Sequence, residues 1–175
     1  DYGYPTDPFD EDTDDDGLND YDEVAVLETD PTLTDTDDNT VSDYDEDYDG
    51  DILTNGQEID IYGTYPTDED SDDDFLWDGD EVNADPATDP LDSDTDNDGL
   101  TDYEEVLYST DPTLADTDGD GMGDLFEVTN SPPFDPLIFD DSTADVDGDG
   151  LSNAEEEDKG TSPTDDDSDD DLLSD

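Results

Sequence analysis

The chain of 175 residues has no cysteine, no histidine and no arginine, and a single lysine, Lys159. The missing Cys and His remove a disulfide framework, a zinc site of the usual kind, and any Ser–His or Cys–His nucleophile. With one basic residue the chain cannot neutralise phosphates, which excludes nucleic acid and anionic membranes as direct partners. No apolar run approaches the roughly 18 residues of a membrane-spanning helix, so membrane insertion is not expected. Apolar residues are also scarce, at 27%, against about 45–50% in an ordinary globular domain. By composition alone such a chain stays disordered, because it buries too little to offset chain entropy. The chain neither opens with Met nor shows a signal pattern, which leads us to expect a mature product or an excised segment.

What is present in excess is carboxylate: 65 Asp and Glu, for a net charge of −64. These side chains are in register. A twelve-residue unit recurs with acids or amides at positions 1, 3, 5 and 9, an apolar residue at 7 and Glu at 12. The copies are Asp12, Asp14, Asp16, Leu18, Asp20, Glu23; Asp35, Asp37, Asn39, Val41, Asp43, Glu46; and, with no gap, Asp47, Asp49, Asp51, Leu53, Asn55, Glu58. Next come Asp70, Asp72, Asp74, Leu76, Asp78, Glu81; Asp94, Asp96, Asp98, Leu100, Asp102, Glu105; and Asp116, Asp118, Asp120, Met122, Asp124, Glu127. The last are Asp145, Asp147, Asp149, Leu151, Asn153, Glu156 and a shortened Asp167, Asp169, Asp171, Leu173, Asp175. We call these loops 1 to 8.

Side-chain oxygens at 1, 3, 5 and 9, a carbonyl at 7 and a bidentate Glu at 12 are the ligand set of a loop that wraps one Ca²⁺. Five carboxylates in one loop repel in ten pairs, each costing roughly 1 kcal/mol in water and about 4 at intermediate dielectric. Closure without cations is therefore opposed by on the order of 10 kcal/mol, and bound calcium turns binding free energy into folding free energy. A solvated polyacidic tail is the alternative reading of such charge, but a tail needs no register.

The pattern Asp-x-Asp-x-Asp-Gly-Leu-x-Asp-x-x-Glu, as at 12–23 and 94–105, resembles the thrombospondin type 3 repeat in its prokaryotic, cysteine-free form. That resemblance implies an extracellular, calcium-loaded chain of little regular structure, used as spacer, stalk or adhesive surface. Position 8 (Asn19, Ser42, Thr54, Trp77, Thr101, Gly123, Ser152, Ser174) is mostly polar, against the apolar residue a paired EF-hand uses there. The expected fold is a mostly irregular, metal-stabilised tandem repeat array. Its calcium-wrapped loops carry short helical turns, it has no conventional hydrophobic core, and it forms one elongated domain over 1–175, as part of a longer array.

Between loops, a β-branched residue often follows the Glu (Val24, Ile59, Val82, Val106, Val128), then a turn such as Thr29-Asp30-Pro31 or Thr110-Asp111-Pro112. The expectation is a helical turn starting at the Glu and ended by the Pro. Position 7 and the following valine would pack on the next unit, giving nearest-neighbour contacts. Position 6 is Gly in four loops but Thr40, Ile52, Phe75 and Leu172 in the others, so either those loops turn differently and bind more weakly, or the assignment of loop positions is imperfect there. Acids at position 11 (Asp22, Asp45, Asp80, Glu104, Glu155) offer a second ion a place. Two apolar clusters, Phe134, Leu137, Ile138, Phe139 and Phe75, Leu76, Trp77, either pack on neighbouring repeats or dock a partner.

The function expected is an extracellular or cell-surface calcium-binding structural repeat, a calcium-rigidified stalk, adhesin or filament segment. Its partners would be calcium ions, with self-association or another cell-surface protein or glycan. The alternative is an acidic calcium-buffering or mineral-interacting surface protein. No catalytic activity is expected: carboxylate pairs can hydrolyse glycosides, but here nearly every one is assigned to a loop.

Overall fold

A computed structural model describes residues 3–139 and 142–175. Among the described residues there is no strand, and the regular structure is six short helical segments. These are α1 (Asp20–Asp22), continued by a π-turn over Glu23–Leu27; α2 (Asn55–Gln57), continued likewise over Glu58–Tyr62; α3 (Asp78–Asn83); α4 (Asp102–Tyr108); α5 (Asp124–Thr129); and α6 (Asn153–Lys159). The chain divides into two compact units, Asp1–Ser93 with loops 1–4 and Asp94–Asp175 with loops 5–8. None of the helices is long and apolar enough to cross a membrane.

Each helix begins at loop position 9, three residues before the Glu expected to start it, so the Glu lies on the helix's fourth residue. The start is chemical. Position 8 is the N-cap: the Thr54, Thr101 and Ser152 hydroxyls accept the amides of Gln57, Glu104 and Glu155, whose side chains reach back to complete capping boxes. The Asn19 side-chain oxygen caps α1 by accepting the Tyr21 and Asp22 amides. This is why position 8 is polar. It also gives the acids at position 11 a local role: Glu104 and Glu155 close the cap, Asp22 accepts from the Asn19 amide, and Asp45 from the Ser42 hydroxyl.

The helices end earlier than the prolines. Glu28, Gly63, Ser109 and Gly160 adopt left-handed backbone (φ 60°, 79°, 66° and 74°) as C-caps, before Pro31, Pro66 and Pro112 are reached. Loop 2 forms only a single turn, Glu46 N–H to Ser42 carbonyl, because loop 3 starts at the next residue.

Apart from prolines, buried apolar side chains number six among the described residues: Leu18, Leu27, Leu53, Leu100, Met122 and Phe134. Four of these occupy loop position 7, as expected, whereas Val41 and Leu173 at the same position are exposed. Of the apolar clusters, Phe134 packs on Phe126 with ring centroids 6.2 Å apart. Leu137, Ile138 and Phe139 stay exposed, as do Phe75 and Trp77. Buried carboxylates outnumber buried apolar groups, a charge distribution that a dry core would not tolerate.

Candidate metal centres

The geometry of a loop follows from its carboxylates accepting the loop's own amides. The first Asp accepts the N–H of position 6 in all eight loops, at 2.8–3.2 Å. The position-3 Asp accepts the position-5 N–H at 3.0–3.3 Å. The side-chain oxygen at position 5 accepts the position-7 N–H at 2.7–3.0 Å. These bonds occupy one or both oxygens of each side chain and hold the three residues of a loop close together. Asp12, Asp14 and Asp16 thus bring one oxygen each within 4.8 Å of one another, as do the triads beginning at Asp47, Asp70, Asp94 and Asp116, and two further groups.

Two positive-φ residues make the turn. Position 6 is left-handed in every loop, and the bulky residues there comply: Thr40, Ile52, Phe75 and Leu172 have φ of 81°, 90°, 83° and 76°. Loops lacking Gly therefore turn in the same sense as the rest. Position 4 is left-handed too, and it is always Asp, Asn or Gly (Asp15, Asp38, Gly50, Asp73, Asn97, Gly119, Gly148, Asp170), the residues that tolerate this conformation best. That restriction is visible in the sequence and was not used above.

Position 9 has a different environment from the triad. Its oxygens are held by residue 2: Asp20 accepts the Thr13 N–H and hydroxyl at 2.9 and 3.0 Å, and Asp124 those of Thr117 at 3.0 and 2.7 Å. The same hydroxyl accepts an amide from the preceding linker, Asp7 N–H to Thr13 and Asp111 N–H to Thr117. Six of the eight loops carry Thr or Ser at position 2 (Thr13, Thr36, Ser71, Thr95, Thr117, Ser168), a signal the sequence reading passed over. Position 9 thus ties linker to loop and braces the turn from behind.

Glu at position 12 closes the site. Glu23, Glu58, Glu81, Glu105, Glu127 and Glu156 are at most 1% exposed. Both carboxylate oxygens of Glu23 and Glu156, and one each of Glu58, Glu81 and Glu105, are buried without a hydrogen-bond partner. Asp12, Asp14, Asp49, Asp94, Asp96 and Asp118 each present such an oxygen as well. Burial first, and then the neighbouring carboxylates, push Glu23, Glu58, Glu81 and Glu105 up to about 8. Asp14, Asp49 and Asp96 rise to about 6 for the same reasons. Inward-facing, unpaired anionic oxygens from positions 1, 3 and 12 form a hard-oxygen donor set that fits Ca²⁺. Loop 2 differs, because Glu46 is only half-buried and accepts the Asn39 amide at 2.5 Å.

Neighbouring loops are joined through position 5. The second oxygen of Asp16 accepts the Tyr44 N–H (3.2 Å), that of Asp51 the Gly79 N–H (2.7 Å), and that of Asp98 the Leu125 N–H (3.4 Å). In each pair the donor is position 10 of the following loop. The Tyr44 ring also fills the space over Gly17 and Gly56, where a Cβ would lie 2.8 and 2.1 Å from its atoms.

Residues 12–34, 94–115 and 145–166 each match the bacterial TSP3 repeat. Each match runs from the first Asp of a loop to the residue before the next loop, and all three loops carry Gly-Leu at positions 6 and 7. The other loops depart there, yet form the same hydrogen bonds. No curated protein and no solved structure matches the chain. The chain is an irregular array carrying TSP3 repeats, which are calcium-binding structural modules, typically extracellular.

Proposed function

We propose that the chain is an extracellular calcium-binding structural segment, serving in a stalk, adhesin or filament, with no catalytic role. The observation that supports this reading is the buried Glu at position 12, which presents an unpaired oxygen in five loops (Glu23, Glu58, Glu81, Glu105 and Glu156). In loop 1 the ion would be held by Asp12, Asp14, Asp16, the Leu18 carbonyl and Glu23, with Asp20 holding the turn; corresponding residues would serve in the other loops. Bound calcium supplies the positive charge that lets these carboxylates stay ionised while buried. The chain's own residues do the rest: amides at positions 5, 6 and 7 aim the carboxylates, the N-cap orients the Glu, and position 5 of loops 1, 3 and 5 passes their order to the loop that follows.

Solution scattering tests the reading. With calcium at about 2 mM the chain should give a folded particle. In excess chelator its radius of gyration should rise toward about 44 Å, the scaling value for an unfolded chain of 175 residues. A particle unchanged by chelator overturns the reading. Surplus charge favours a second reading, calcium buffering or mineral interaction, since eight calcium ions would leave three quarters of the −64 in place. A mineral-nucleation assay separates the two.

A further inference from the structure

Loop 2 (35–46) turns as its neighbours do, with Thr40 in left-handed backbone and its N–H on Asp35 at 2.8 Å. What differs is position 5. Asn39 stands where the other seven loops carry Asp. Its side-chain oxygen accepts the Val41 N–H at 2.8 Å, as the position-5 Asp does elsewhere. That bond turns the amide nitrogen toward Glu46, to which it donates at 2.5 Å. An NH2 group is a donor only and offers a cation no oxygen.

Glu46 is also placed unlike its counterparts. Loop 3 begins at the next residue, so the Glu46 carbonyl accepts the Asn55 N–H at 2.7 Å. In loops 1 and 4 that bond is made by Glu11 and Glu69, which belong to no loop. One residue thus closes loop 2 and opens loop 3. No helix follows loop 2 among the described residues, and Glu46 is half-buried where Glu23, Glu58 and Glu105 are fully enclosed. A cleft of about 700 Å³ opens beside it, lined by Asp37, Asn39, Val41 and Glu46 together with Leu27 and Tyr48. At position 3, Asp14, Asp49, Asp96 and Asp147 each bury an oxygen without a partner, whereas Asp37 is exposed.

We propose that loop 2 is the weak calcium site of the array, shut by the Asn39–Glu46 hydrogen bond and filled only well above the concentrations that fill loops 1 and 3. To enter loop 2 an ion must break that bond and gather ligands from a cleft open to water. In loops 1 and 3 it meets buried anionic oxygens that repel one another until it arrives. Affinity in such loops follows ligand charge and site rigidity. At positions 1, 3, 5 and 12, loop 2 offers three carboxylates, and loops 1 and 3 offer four. Over the intervening range the joint between loops 1 and 3 is held by protein hydrogen bonds alone: Tyr44 to Asp16, Asn39 to Glu46, and Asn55 to Glu46. The inference rests on calcium binding by the other loops.

Equilibrium dialysis against calcium alone tests it, on the whole chain at about 0.15 M salt to screen exposed carboxylates. The variants are Asp37→Asn in loop 2, Asp14→Asn at the same position of loop 1, and Asn39→Asp; each keeps the oxygen that accepts a backbone amide. Asp14→Asn should remove one ion from the low-concentration part of the wild-type isotherm. Asp37→Asn should leave that part unchanged and lose an ion only at free calcium about tenfold higher or more. Asn39→Asp should add one ion at low concentration. An ion lost by Asp37→Asn in the same range as by Asp14→Asn overturns the proposal and leaves the functional reading standing. So does an Asn39→Asp isotherm that matches the wild type. A wild-type chain that binds no calcium overturns both.

Discussion

Replacing Glu105 by Gln should change stability in opposite directions with and without calcium. Glu105 is fully buried, with one oxygen on the Thr110 hydroxyl at 3.3 Å and the other unpaired. Burial and the charges of Asp96, Asp98 and Asp102 push its carboxyl from 4.5 to about 8. In chelator at neutral pH the folded chain must therefore take up a proton that the unfolded chain releases. At pH 7 that costs about 3 kcal/mol. The amide needs no such proton, so Glu105→Gln should stabilise the metal-free fold by up to that amount. The gain should vanish near pH 4, where both states are protonated. In calcium the same change would remove the anionic ligand proposed at position 12, and the loop should bind at least about tenfold more weakly, a loss of about 1.4 kcal/mol or more. Urea unfolding followed by circular dichroism gives the number in calcium, and the pH midpoint of expansion in chelator, which the variant should move upward, gives the sign without it. The same sign in both conditions would refute the reasoning.

For the metal-free wild-type chain the sign is fixed by raised carboxyls. Stability conferred by Glu23, Glu58, Glu81 and Glu105 is complete below about pH 4.5 and is lost as pH rises to about 8. Scattering in chelator should accordingly show a compact chain at pH 4.5 that expands by pH 8, and no expansion in calcium. Thr117→Val should destabilise the calcium-loaded chain by roughly 1–3 kcal/mol, since it strips a partner from the buried Asp124 and from the Asp111 amide; a neutral thermal melt would show the hydroxyl to be dispensable. Gly56→Ala should cost about 1–3 kcal/mol by driving a methyl into the Tyr44 ring. A double-mutant cycle with Tyr44→Ala should recover most of it, and strict additivity would place the strain elsewhere.

The register of positions 1, 3, 5, 7, 9 and 12 was legible because the pattern lies within a short, local stretch and recurs in eight copies, the last cut short. The helix was placed three residues late because the Glu was treated as a ligand alone. Its neighbours Thr101 and Glu104, or Ser152 and Glu155, spell a capping box that starts the helix earlier. Termination was assigned to proline, although Ser109 and Glu28 close their helices with left-handed backbone that non-glycine residues do not advertise. Thr at position 2 and the Asp/Asn/Gly restriction at position 4 were readable in principle, hidden by attention to the carboxylates between them. The bonds from Asp16 to Tyr44 and from Asp51 to Gly79 each span 28 residues. No local pattern encodes them, because the donor is a backbone amide common to every sequence.

The seam between loops also constrains how such an array can be copied. Where position 6 is Gly17 or Gly99, a large side chain, Tyr44 or Leu125, lies over it from position 10 of the next loop. Where position 6 is Ile52, position 10 is Gly79, and no larger residue fits against the Asp51 carbonyl. A deletion joining loop 1 to loop 4 would set Gly17 against Gly79 and leave a void. One joining loop 3 directly to a loop like the second would bring the Tyr44 ring against Ile52. Recombination within a gene of this kind therefore keeps its product well packed only when the breakpoints fall outside matched neighbours. The heritable module is a pair of loops, although the chemistry repeats with every one.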